Sequence, residues 1–339
     1  MANMSALVAG TGGITLMDNL GQDLGYPVKM QLGVLSKQLQ NKAPDELLEL
    51  LSMEHRPGQI APAKTSLKSG VSIRPGHVLK VAYNQVPGSF SHVLYDWRAD
   101  LRHSAGQLLD FLRERQPASG RWNLVGHSQG ALLIVIASKL MPTRTAFADL
   151  VASVALVGAP LAGTVNAARA LLDGDQLGES AVPILQQVVR TWPALYQMLP
   201  AWPVVSDGTE DNTARRGLVD PSVWSAIPGI AADLLNRARE GQQLLRDPLG
   251  WMDGDIDVQI LLARNRPTDI GLAKPNGALA STADRRQLGA GLVPHDETLG
   301  WTGAFVRQFT KTLLSPCREH AMLFNDPAVL GEVQSGVIQ

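Results

Sequence analysis

The chain has 339 residues, 45% of them hydrophobic, enough to bury a substantial core in one large domain and to leave length for an inserted subdomain. A formal charge of -1, a pI near 6.7 and scattered basic residues offer nucleic acid no electrostatic attraction, so no nucleic-acid partner is expected. Cys317 is the lone cysteine, which excludes an intramolecular disulfide framework.

At the N-terminus, residues 1–17 lack a basic stretch ahead of the apolar run, and Gly10, Gly12 and Gly13 interrupt that run, so it does not read as a signal peptide. No window approaches the ~18 uninterrupted apolar residues of a membrane-spanning helix. A cytoplasmic location is therefore expected, with room for transient contact at a membrane surface. Short apolar runs at residues 5–9, 78–82, 122–125, 151–157 and 258–263 read as strands. Between and after them, residues 101–113, 130–140 and 161–172 repeat apolar side chains at helical spacing, and residues 328–334 read as a terminal helix. This alternation predicts an α/β fold with a mostly parallel central sheet flanked by helices.

Residues 55–76, rich in Pro, Gly, Ser and Lys, read as an irregular connection. From residue 162 to 254 the strand signal fades, and prolines including Pro183, Pro193, Pro221 and Pro248 break amphipathic segments. We expect an inserted helical cap there, with hydrolase-type core on both sides, at 1–161 and 255–339. Trp192, Trp202, Trp224 and Trp251 fall in this stretch and suit either a lid over a lipophilic pocket or packing inside the cap.

The strongest local signal is Trp122-Asn123-Leu124-Val125-Gly126-His127-Ser128-Gln129-Gly130, followed by an apolar helical run. Strand, sharp turn and helix in that order form a nucleophile elbow, in which a strained turn lifts the serine hydroxyl above the sheet edge. Gly126 and Gly130 allow strand and helix to approach closely. The helix N-terminus points N–H groups at the place where negative charge develops, making the Gln129 N–H an oxyanion donor. A second donor is expected from the loop Gly10-Thr11-Gly12-Gly13, at Thr11 or Gly12; its spacing fits neither a dinucleotide nor a P-loop motif.

Serine needs a base, and in this fold the histidine follows the acid in the chain, which leaves His295 and His320. His320 stands just ahead of the terminal helix, where the base belongs, whereas His295 lies among Pro294, Asp296 and Glu297 and reads as a solvated surface residue. For the acid, Asp269, Asp284, Asp296 and Glu297 all follow the strand at 258–263, and spacing does not choose among them. The earlier histidines show no metal-ligand spacing, so neither a metal nor a cofactor is expected.

Several motifs in register resemble the lecithin:cholesterol acyltransferase-like lipase family of the α/β-hydrolase superfamily. They are Val8-Ala9-Gly10-Thr11-Gly12-Gly13, Tyr95-Asp96-Trp97-Arg98, Gly126-His127-Ser128-Gln129-Gly130, Leu156-Val157-Gly158-Ala159-Pro160, the run from Trp192 to Pro200, and the region of Glu319-His320. The resemblance implies an α/β-hydrolase fold and acyl-lipid substrates. It also implies a departure: Gly289-Ala290-Gly291-Leu292-Val293-Pro294 resembles the acid loop, and the family's catalytic aspartate falls where this chain has Ala290. Either the triad is impaired, or another carboxylate such as Asp269 or Asp296 replaces it. Trp97 and Arg98 read as structural, a buried ring and a paired arginine, in preference to a role in the chemistry.

The expected chemistry is acyl transfer from an ester through an acyl-Ser128 intermediate, with His320 as base and Thr11 and Gln129 at the oxyanion. Two alternatives stay open, a catalytically silent hydrolase fold used for binding or regulation and a small-ester or thioester hydrolase. The sequence points to no particular protein partner.

Overall fold

The computed structural model describes residues 6–9, 14–15, 23–24, 61–62, 90–93, 95, 98–117, 120–173, 183–206, 217–246, 252, 255–264, 266–273, 283–289, 291, 293–296, 298, 310–313, 320, 323 and 326–337. Its strands, in chain order, are β1 (Ala6–Ala9), β2 (Ile14–Thr15), β3 (Asp23–Leu24), β4 (Ala61–Pro62), β5 (Phe90–Val93), β6 (Trp122–His127), β7 (Val151–Val157), β8 (Val205–Ser206), β9 (Asp257–Ala263), β10 (Arg266–Ala273), β11 (Ala283–Gly289) and β12 (Thr310–Leu313). The α-helices are α1 (Leu101–Glu114), α2 (Gln129–Leu140), α3 (Arg144–Ala148), α4 (Val165–Asp173), α5 (Pro183–Val189), α6 (Pro193–Gln197), α7 (Ala232–Leu245) and α8 (Pro327–Val337).

Six strands form the main sheet in the order β12-β9-β7-β6-β1-β5, and every neighbouring pair is parallel. A parallel sheet is covered on both faces, which is why β6 is buried along its whole length and reads as a nearly unbroken apolar run. The expectation of an α/β-hydrolase-type fold with a parallel sheet flanked by helices therefore holds. Among the expected strands, residues 78–82 lie outside the described residues. β5 and β12 join the sheet without having been read from the sequence.

The helix after β6 shows why the centre is well defined. In α2 all residues from 129 to 138 are buried, as a helix apolar all round must be. Against it packs α1, whose buried Leu101, Ser104, Ala105, Leu108, Leu109 and Leu112 recur on one face. Asp100 caps α1 by accepting from the Arg102 N–H at 2.9 Å, and it also accepts from Gln197 Nε2 at 3.1 Å. Gln197 Oε1 in turn accepts from the Leu101 N–H, so α6 is tied to the start of α1.

A second hydrophobic cluster is built mainly from residues 165–238, including Val165, Tyr196, Leu199, Trp224 and Leu235, with Leu272 joining it from β10. The region 162–254 is not purely helical: β8 pairs parallel with β10, which pairs antiparallel with β11 to make a separate three-stranded sheet. Trp192 sits in the main core and Trp224 in the second cluster, both at most 2% exposed. Trp224 Nε1 donates to Leu218 O at 2.7 Å and Trp202 Nε1 to Ile270 O at 3.1 Å, so both polar edges are satisfied while the rings pack in or against the second cluster. Trp251 lies outside the described residues. Buried Arg190 donates from Nε to Leu171 O, from Nη1 to Pro228 O and from Nη2 to Leu172 O, while its own carbonyl accepts from the Tyr196 hydroxyl. Among the described residues no helix is long and apolar enough to cross a membrane.

Candidate active site

The register aligns Gly126 of β6 with Ala9 of β1 and with Leu156 of β7, and Val157 with Leu261 of β9. The carboxyl ends of the parallel strands therefore share one edge, where open α/β sheets place their reactive groups. Ser128 follows β6 at this edge and has φ 55° and ψ -125°; it is the one non-glycine residue with positive φ among those described. Such a conformation costs a serine energy and persists because the surroundings over-determine it. Here the Ser128 N–H donates to Val157 O and its carbonyl accepts from the Ala131 N–H, both at 3.0 Å. Gly126 is required by contact: a Cβ there would lie 2.6 Å from Ala131 Cα and 2.8 Å from Ala131 N, the backbone of α2.

His320 reaches this edge from 192 residues further along the chain, and its Nε2 lies 2.7 Å from Ser128 Oγ. Ser128 is 7% exposed and His320 6%. Their separation is that of a nucleophile and its base. With the hydroxyl donating to Nε2, the neutral ring carries its proton on Nδ1, the nitrogen an orienting acid would hold. Among the described residues Nδ1 is buried and has no hydrogen-bond partner. Burial, and next the neighbouring His127, hold the His320 pKa well below its usual 6.5, so the ring is neutral at pH 7 and its cation is poorly supported. Gly158, with φ 58°, leaves the ring its room: a Cβ there would come 3.1 Å from His320 Cε1 and 3.2 Å from Nδ1.

The carboxylates considered from sequence are engaged elsewhere or not described. Asp269 is 3% exposed and pairs with Arg169 Nη1 at 2.9 Å. Asp296 accepts from Arg264 Nη2 at 3.2 Å and meets His295 Nδ1 at 2.7 Å. Ala290 and the Asp284 and Glu297 side chains lie outside the described residues. So do Thr11, Gly12 and Trp97, while Gln129 opens α2 directly after Ser128. On either side of position 290, Gly289 bridges to Pro294, and the Gly291 N–H donates to Thr268 Oγ1 at 2.9 Å. A Cβ on Gly289 would lie 2.3 Å from Val293 O, so this turn is tight.

Two sequence expectations need correction or extension. His295 is not a solvated surface residue; it is 4% exposed and paired with Asp296. The polar residues beside it in sequence concealed that burial. Arg98 is 1% exposed, in keeping with its structural reading, and its carbonyl accepts from the Ala194 N–H at 3.2 Å. The residue that sequence reasoning passed over is His127. Its ring lies under that of His320, and nothing in a Gly-His-Ser-Gln-Gly match identifies such a contact in advance. Among the described residues no cluster of His, Cys, Asp and Glu could hold a metal ion.

Residues 83–223 match the family model of lecithin:cholesterol acyltransferase, a span that takes in the elbow and the Tyr95–Arg98 motif and stops short of His320. No curated protein matches the chain. Among solved structures, the crystal structure of the Tle4–Tli4 complex contains a chain similar in fold at TM-score 0.66 and 12% identity, with 99% of each chain covered. Phospholipase PlaB from Legionella pneumophila is also found, at TM-score 0.32 and 10% identity over 77% of this chain and 39% of its own. The likeness to the lecithin:cholesterol acyltransferase family is thus carried by residues 83–223, and the likeness in fold to the chain of the Tle4–Tli4 complex extends over the whole length.

Proposed function

We propose that this chain is a serine-dependent acyl-ester hydrolase or acyltransferase that takes lipid-like esters through an acyl-Ser128 intermediate. Ser128 Oγ attacks the ester carbonyl, and His320 Nε2 takes its proton and later returns it to the leaving alcohol. The Gln129 N–H at the start of α2, with Thr11, holds the oxyanion. Water or an acceptor alcohol then attacks the acyl-enzyme. What carries this reading is the 2.7 Å contact between Ser128 Oγ and His320 Nε2, made by a serine in a strained turn at the carboxyl edge of a parallel sheet. The segment at 162–254, which supplies most of a second hydrophobic core, acts in this reading as a cap. The lipid-like substrate rests on the family match.

A second reading has its own support. With Ala290 at the family's acid position and no described partner on His320 Nδ1, the imidazolium lacks charge support. Loss of the orienting carboxylate lowers turnover by about 10⁴-fold in serine hydrolases generally. In this reading the chain is an impaired enzyme, or a hydrolase fold used for binding.

A fluorophosphonate probe, with Ser128→Ala as control, separates the readings. Labelling of the unmodified chain that disappears in Ser128→Ala supports the enzyme. No labelling in the unmodified chain or in Ala290→Asp abandons it for the binding module. Comparison of p-nitrophenyl esters then tests the substrate class, since each additional buried methylene is worth about 0.8 kcal/mol, or roughly fourfold in kcat/KM. A flat chain-length profile would instead indicate a small-ester hydrolase.

A further inference from the structure

The residue immediately before the nucleophile places a second imidazole against the first. His127, the last residue of β6, is fully enclosed. Its Nε2 lies 3.0 Å from the main-chain oxygen of His320, 193 residues away in sequence. The two rings stack with centroids 5.0 Å apart and planes 27° from parallel. A carbonyl oxygen only accepts, so Nε2 of His127 carries a proton and donates it.

Two demands meet at His320. Its Nε2 must stay on the serine hydroxyl, because a displacement of about 1 Å at a reacting group can cost roughly 100-fold in rate. In a complete triad the group on Nδ1 meets that demand by fixing the ring. Here Nδ1 has no partner among the described residues, while the ring face lies on His127 and the edge bearing Cε1 and Nδ1 lies against Gly158. We infer that His127 is a positioning residue: its N–H grips the main chain of His320 and its ring floors the imidazole, so that Nε2 remains on Ser128 Oγ. The inference rests on the proposed roles of Ser128 and His320.

The chemistry of His127 suits the task. Its burial pulls the pKa down to about 4, so at pH 7 it is neutral. When His320 accepts the serine proton, the new cation therefore lies on an uncharged ring instead of facing a like charge. Because the bond runs to a backbone carbonyl, it holds the chain that carries the base whatever the protonation state of that base.

Two variants separate the donor from the ring. His127→Phe keeps an aromatic face and removes the N–H; His127→Gln removes the ring and places an amide N–H near the position of Nε2. Fluorophosphonate labelling rates of Ser128 in His127→Phe are expected to fall by roughly 30- to 100-fold, and His127→Gln is expected to recover most of that loss. The His320 imidazole resonances, read by long-range 15N–1H correlation, are expected to move in His127→Phe and to return toward their original positions in His127→Gln. Labelling and resonances in His127→Phe matching the unmodified chain would overturn the inference, as would a His127→Gln variant no better than His127→Phe. The resonance measurement needs no turnover. Absence of labelling in every variant counts against the proposed reaction, and the His320 spectra still decide whether His127 positions that ring.

Discussion

Ser128 is held by its neighbours in sequence and in the sheet, whereas His320 is held by groups 192 and 193 residues away. On the serine side, β6 and residues 129–138 of α2 are buried, Gly126 lets them close together, and backbone bonds with Val157 and Ala131 fix the strained turn. On the histidine side, one nitrogen reaches the serine, the carbonyl and ring face meet His127, and the other nitrogen has no partner among the described residues. Ser128 belongs to the core of the fold, so stability itself maintains its geometry. His320 comes later in sequence than β12, and its geometry depends on a few contacts that can be altered one at a time.

The largest expected effect lies on the weaker side. Ala290→Asp should raise kcat for p-nitrophenyl esters by up to about 10⁴-fold if the position lies against His320 Nδ1, measured at saturating substrate. An unchanged kcat would show that completeness of the triad is not what separates the two sides. Acid should also strike at the histidines. A histidine whose pKa is depressed in the folded protein contributes stability above its unfolded pKa of about 6.5, and this is lost as the pH falls toward the folded value. For His127, with a folded value of about 4, the loss between those limits is roughly 3 kcal/mol. Denaturant midpoints should therefore decline from pH 6.5 to pH 4 in the unmodified chain and decline less in His127→Phe.

Smaller effects belong to the serine side. Gly126→Ala inserts a Cβ into the backbone of α2 and should cost about 1–3 kcal/mol, read as a lowered Tm with slowed labelling. A Tm equal to that of the unmodified chain would mean that strand and helix are less tightly joined than their contact distances imply. Finally, Ser128→Gly should be more stable than Ser128→Ala by about 1 kcal/mol, because only glycine takes φ 55° without strain. Equal stabilities would remove the argument that the turn is strained.

How much was legible in sequence follows the same division. The turn at Ser128 could be read because strand, glycines, serine and apolar helix are contiguous, and each obeys a local rule. Most of the sheet was legible for the same reason: β7 and β9 are short apolar runs, and the match of α1 to residues 101–113 follows from its one-sided periodicity. By contrast β10, written Arg-Pro-Thr-Asp-Ile-Gly-Leu-Ala, carries a proline, charges and a glycine and has no apolar run to mark it. Its place comes from pairing with β11 and β8. The burial of His295 and the contact between His127 and His320 are likewise products of tertiary structure, invisible to spacing. The acid could not be chosen from sequence because every candidate was plausible in order alone; Asp269 is now accounted for by Arg169, a partner 100 residues away.

The guanidinium at position 190 has a consequence of its own. By serving the carbonyls of Leu171, Leu172 and Pro228 at once, it supplies from a side chain the donors that a strand or helix would supply from its backbone. The last turn of α4, which carries Leu171 and Leu172, is thereby tied to the loop at Pro228 through a side chain instead of a backbone ladder. A lysine would keep the charge yet lack the planar fork, and could not serve the Leu171 and Pro228 carbonyls together, while Leu172 O would keep its second donor, Gln186 Nε2. The knot is thus specific to one amino acid, and its integrity can be lost through a substitution that conserves electrostatics completely.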